Sequence, residues 1–257
     1  MELKYDNQLK QHPFYQIHPE YLPFIGDNFD AHRILHIGES HYIDQKKGAE
    51  TILFPATYFL NWWENECPEL KLKCGSWYTT REVIQRFMGG VHSRGYGIFS
   101  EVLKMYCKLY LEQEDVKTCK ESRNNYSNFA FMNFFQMPSP YEGIKFWNAL
   151  NDLAKREGDQ FLANRIYNET VFRSTEILDY VISVLQPKIV IFTSVCARDA
   201  YKKQGKFKTA EYVIDTVHPS CSWWNRPLKR RYQGRTGKQQ LEWAWKTCIE
   251  HTGKSGR

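Results

Sequence analysis

The chain has 257 residues, 42% of them hydrophobic and 25% charged, the balance of an ordinary soluble globular protein with room for one large domain or two small ones. No apolar run approaches the roughly 20 residues that span a bilayer, so a transmembrane helix is excluded. The net charge of +6 fits a polyanionic partner without requiring one.

Taken in chain order, four short apolar or β-branched runs read as buried strands: 33–38 (RILHIG), 129–135 (FAFMNFF), 188–194 (KIVIFTS) and 211–217 (EYVIDTV), each ending in polar or turn residues. Between and after them lie stretches with helical apolar spacing: TYFLNWWENE, SEVLKMYCKLYLEQ, VFRSTEILDYVISVLQ and QQLEWAWKTCIE. The third stops before Pro187, where a helix is expected to end. Alternating strands and helices predict an α/β fold, a three-layer α/β/α sandwich around a mainly parallel four-stranded sheet. Residues 64–98 are less regular and are expected to form an insertion or binding loop in a single domain, 1–257. The protein is expected to be a monomer.

Seven cysteines, at 67, 74, 107, 119, 196, 221 and 248, form no Cys-x-x-Cys pair. With no signal peptide ahead of them, reduced thiols in a cytoplasmic protein are the expectation. His32 and His36 are four apart, but on a strand that spacing separates them by about 12 Å or more, so no metal site is expected. The 16% aromatic content either fills a core or provides rings that stack on bases.

Polar residues collect at the strand ends. The first strand opens onto Gly38-Glu39-Ser40-His41-Tyr42, the second carries Asn133 and runs into QMPSP, and the fourth ends at His218-Pro219-Ser220. In a parallel sheet these ends share one edge, where α/β proteins bind ligands. Beyond the last of them stand Ser222, Trp223 and Trp224, then an acid-free run from Arg226 through Lys229, Arg230, Arg231 and Arg235 to Lys238. A second basic cluster comprises Lys202, Lys203, Lys206 and Lys208.

GESHY, FMNFFQMPSP, QPKIVIFTSVCARDAY and DTVHPSCS, in that order, resemble the motifs of the uracil-DNA glycosylase superfamily over roughly residues 31–60 and 126–228. The resemblance implies that fold, and hydrolysis of the N-glycosidic bond of uracil or a modified pyrimidine flipped out of single- or double-stranded DNA, with no metal or organic cofactor. His218 would donate to the departing base. Asn133 would read the base edge, unless it ties down a loop. Tyr42 matches the tyrosine beside ring position 5, and Phe54 is either the stacking ring or a core aromatic. Glu39 matches the acidic residue of the branch with a Gly-Glu-Ala-Pro motif and either orients the attacking water or only supports the site. Ser40 stands where the best-known branch has an aspartate. A serine is a poor general base, so it is expected to bind water or the nucleotide, with Asp44 a nearby substitute carboxylate. Ser220 and Ser222 would hold phosphates. Trp223 or Trp224 would wedge into the duplex, or both would pack under the loop. Arg226, Arg230 and Arg231 would follow the phosphate path.

Two alternatives remain. Gly-Glu-Ser with a late Asp215-x-x-His218 is also similar to GDSL-type hydrolases, in which Asp215 would orient His218 and His218 would activate Ser40 as a nucleophile. A non-catalytic nucleic-acid-binding member of the glycosylase fold is the other.

Overall fold

The structure is a computed structural model that describes residues 1–42, 56–65, 79–91, 94–114, 120–139, 145–204 and 211–254. Phe54, Asp44, Lys206 and Lys208 lie outside the described residues.

The four expected strands are present as β2 (Ile34–Tyr42), β3 (Phe129–Ser139), β4 (Ile189–Phe192) and β5 (Tyr212–Asp215). They pair in parallel, β3 with β2, β2 with β4 and β4 with β5. A fifth strand, β1 (Phe24–Ile25), joins the outer edge antiparallel to β3, in register Phe24↔Phe131 and Ile25↔Ala130. The sheet is therefore five-stranded and mixed, in the order β1-β3-β2-β4-β5, where a four-stranded sheet was expected. Two residues are too few to carry a strand periodicity, which is why β1 left no pattern in the sequence.

Side chains alternate across each strand. Leu35, Ile37, Ala130, Met132, Val190 and Phe192 belong to one core cluster, and Ile34, Phe129, Phe131, Ile189, Ile191 and Ile214 to another. The first face is covered by α3 (Phe146–Glu157), α4 (Leu162–Leu185) and α5 (Val195–Lys203), through Leu150, Leu153, Leu178, Val181 and Ala197. The second is covered by α1 (Thr80–Met88), α2 (Gly97–Tyr110) and α6 (Gly237–Lys254), through Ile84, Phe87, Phe99, Val102, Leu241 and Trp245. Both faces of the central strand are dry, so its apolar run is continuous where a half-solvated strand would alternate.

Helix α1 falls inside the stretch expected to be an insertion, yet its Val83, Ile84 and Phe87 are core residues. Residues 66–78 and 92–93 of that stretch lie outside the described residues. Helix α4 ends at Leu185, with Gln186 left-handed at φ 47° and its N–H bonded to Ile182 O, one residue before Pro187. Most described aromatics are internal. Trp62, Trp245, Tyr15 and Tyr126 are fully buried, and Phe161, Phe172, Trp223 and Trp243 are the large exposed ones. Among the described residues no helix is long and apolar enough to cross a membrane.

Candidate active site

The chain leaves β2 toward β3 on one side and returns to β4 on the other, so the sheet's switch point lies between β2 and β4, and ligand crevices form beyond the carboxyl ends of such a pair. Here the crevice is enlarged by unequal lengths. Pairing of β2 with β4 stops at Ile37↔Phe192, while β2 continues along β3 through Gly38↔Asn133, Ser40↔Phe135 and Tyr42↔Ser139. The expected polar turn after Gly38 is thus a strand overhang, with a shift of register between Ser40 and Tyr42.

Alternation sends neighbouring residues of the overhang to opposite faces. Glu39 points toward α3 and α5, where its Oε2 accepts from Ser194 Oγ at 2.7 Å and its Oε1 from the Phe146 N–H at 3.3 Å. Phe146 begins α3, and Ser194 is the N-cap of α5, its Oγ accepting in turn from Ala197 N–H at 3.3 Å. A carboxylate between two helix N-termini is favourably placed. Both Glu39 oxygens are therefore engaged in bracing β2.

Gly38 and Asn133 face the other way, on the side of Phe131 and His36. A Cβ on Gly38 would stand 2.2 Å from Asn133 Oδ1 and 3.1 Å from Phe131 Cζ. Glycine is thus required for the Asn133 amide to lie across β2. Asn133 is 9% exposed and its amide makes no hydrogen bond to the described residues; Ser40 is 6% exposed, and its Oγ likewise has no partner. Gln136, fully buried behind them, donates to Asn133 O and leaves its own Oε1 unpaired. Buried polar groups without partners cost stability, and two of them, Ser40 Oγ and Gln136 Oε1, lie beside the Asn133 amide at this end of the sheet, where a polar ligand would satisfy them. Tyr42 ends the overhang, half-buried.

His218 stands three residues past β5. Its Nδ1 is approached by the Ser220 N–H at 3.1 Å and the Ser220 hydroxyl at 2.6 Å. An amide N–H can only donate, so Nδ1 is an acceptor and the ring proton resides on Nε2. Burial lowers the His218 pKa from its ordinary value, with the charge of Glu39 opposing. The result is a neutral imidazole whose Nε2–H is a donor. His36 beneath it is fully buried, bonded through Nδ1 to Tyr126 OH at 2.7 Å and through Nε2 to Thr193 Oγ1 at 2.9 Å. Thr193 Oγ1 donates to Ile37 O, so it accepts from His36 Nε2–H. Burial, then the nearby His218, pushes its pKa down to about 3.

The hydrolase triad is not assembled. Ser40 Oγ has no partner and His218 Nδ1 is taken by Ser220. Asp215, the last residue of β5, instead receives Arg198 Nη2 at 2.7 Å and Tyr232 OH at 3.4 Å.

The loop after His218 separates two residues that read alike in sequence. Trp223 is 45% exposed, whereas Trp224 is 3% exposed and its Nε1 donates to Glu101 Oε2 at 3.3 Å. Only Trp223 is available as a wedge. Ser220 and Ser222 are exposed, as are Arg226 and Arg230. Arg231, expected on the phosphate path, is spent in a two-pronged ion pair with Asp199, at 2.7 and 3.2 Å. A cleft of about 460 Å³ beside Ser220 is lined by Gly97, Lys104, Pro219, Trp224 and Lys238. Sequence reasoning passed over Ser194; a serine between a strand and a helix is the signal that would have found it.

Comparison with protein-family models, curated proteins and solved structures finds no match to this chain.

Proposed function

We propose that the chain is a monofunctional DNA glycosylase, built as a three-layer α/β/α sandwich of the uracil-DNA glycosylase kind, that excises uracil or a modified pyrimidine. The observation carrying this reading is the neutral His218, with its proton on Nε2, at the sheet edge that also carries the largely buried Asn133 amide and the unpartnered Ser40 hydroxyl. In the absence of any matching relative, the reading rests on this chemistry and on the motifs.

A flipped base would enter over Gly38. The Asn133 amide, which both donates and accepts, would pair with its amide edge. As the C1′–N1 bond breaks, its electrons pass to the base, and His218 Nε2–H stabilises the oxygen on which negative charge develops. Water adds to C1′, and its proton neutralises the departing anion. Ser40 would hold that water or the nucleotide without attacking. Ser220 and Ser222 would grip phosphates and Trp223 would fill the gap in the stack.

The deciding experiment assays base release from oligonucleotides carrying uracil, hypoxanthine or modified cytosines, alongside hydrolysis of a short-chain aryl ester. Release of one base with the ester untouched is expected. Ester hydrolysis that Ser40→Ala abolishes, with no base released, would transfer the site to the hydrolases. Salt-sensitive DNA binding without release of any base would favour the non-catalytic member.

A further inference from the structure

The two basic clusters are 26 residues or so apart in sequence, counted from Lys203 to Lys229, but the fold joins them. Lys202 and Lys203 lie in the last turn of α5, three and four residues after Asp199, and therefore on the same side of the helix. Asp199 is the residue that binds Arg231, Nη2 to Oδ1 at 2.7 Å and Nη1 to Oδ2 at 3.2 Å. Arg231 belongs to a short helix, Lys229–Tyr232. Its Nε is also 3.7 Å from Asp215 Oδ2, while Arg198 of α5 reaches Asp215 at 2.7 Å and Asp199 at 3.0 Å.

Two arginines and two aspartates thus clamp the short helix to α5 and cancel one another's charge. The two-pronged geometry fixes orientation as well as distance. What stays outside the clamp is uncompensated. Lys202, Lys203, Arg226, Lys229 and Arg230 are all exposed, and none forms an ion pair with a described acid.

We propose that Lys202, Lys203, Lys229 and Arg230 form a polyanion-binding face, which takes the phosphates of duplex DNA flanking the nucleotide in the site. The proposal rests on DNA being the partner. The face begins at Asp215, three residues before His218, so a duplex engaged at the sheet edge runs on across it. Its charges are point contacts without base-reading geometry, and they would add affinity independent of sequence.

The test measures affinity against salt for two duplexes, one just spanning the site and one extended by a helical turn on each side. Wild type is compared with Lys202→Ala/Lys203→Ala and with Lys188→Ala, an exposed lysine at the opposite, amino end of β4. On the extended duplex the double variant should lose about 1 to 2 from the slope of log affinity against log salt, and roughly tenfold in affinity at physiological salt. It should match wild type on the short duplex, and Lys188→Ala should match it on both. A double variant equal to wild type on the extended duplex, while wild type binds and excises, overturns the face and leaves the glycosylase reading standing. Absence of salt-sensitive binding by wild type overturns both. The expected loss in a protein that excises nothing supports the face and counts against the glycosylase.

Discussion

The Ser220 N–H donates to His218 Nδ1 at 3.1 Å, and this one bond fixes which end of the imidazole carries the proton. A protonated ring would bring a second N–H against the amide, so the bond and burial together favour the neutral form. Burial lowers the pKa and Glu39 only partly offsets it. Because the active form is neutral and its pKa lies below the usual 6.5, excision should hold steady down through pH 6.5 and fall only at more acid pH. A single-turnover pH profile checks this. An acid limb centred at or above 6.5 would contradict the assignment.

Gly38→Ala should damage the site more than the fold. The new Cβ would lie 2.2 Å from Asn133 Oδ1, and the amide must swing away. A displacement of that order costs about a hundredfold in excision efficiency, with overpacking taking roughly 1–3 kcal/mol from stability. Kinetics and urea denaturation on the same variant separate the two effects. Full activity would mean that the Asn133 position is not used.

The adjacent tryptophans should behave oppositely. Trp224→Ala empties a buried site and should cost about 3–5 kcal/mol of stability. Trp223→Ala should leave the unfolding midpoint nearly unchanged and weaken DNA binding by roughly 1–3 kcal/mol if the ring stacks on bases. Reversed effects would misplace the loop.

His36 should make the protein acid-sensitive. It is held neutral in the fold with its pKa at about 3, against 6.5 for an ordinary histidine. The unfolded chain therefore binds the extra proton over that interval, and stability rises with pH there. The contribution is fully present above about 6.5 and is lost as pH falls toward 3. His36→Gln should start less stable, having lost a fitted ring, but should show a shallower decline across this window in urea midpoints measured against pH. An unchanged slope would assign the acid sensitivity to other groups.

The central sheet was legible because β2, β3 and β4 carry apolar runs buried on both faces, and the half-buried edge strand β5 still shows Val213 and Ile214 before a polar end. That the carboxyl ends of β2, β3 and β5 share one edge of the sheet followed from parallel pairing alone. What was not legible depends on partners distant in sequence. That Glu39 turns to Ser194 and Phe146 was hidden because the overhang past β4 stays in strand conformation where a turn was expected. Arg231 reads like Arg230 until Asp199 is placed beside it, and Trp223 reads like Trp224 until Glu101 and the second core are in position. Edge strand β1 has too few residues to announce itself.

The most direct test of the central claim is alkali-induced strand cleavage of labelled oligonucleotides, each carrying uracil, hypoxanthine or a modified cytosine, after incubation with wild type or His218→Ala. With His218 as the donor to the leaving base, wild type should leave an alkali-labile site at one of these bases, and the variant should be slower by about a hundredfold to a thousandfold while keeping its fold. Cleavage undiminished in His218→Ala, or none with any base in wild type, would contradict the account.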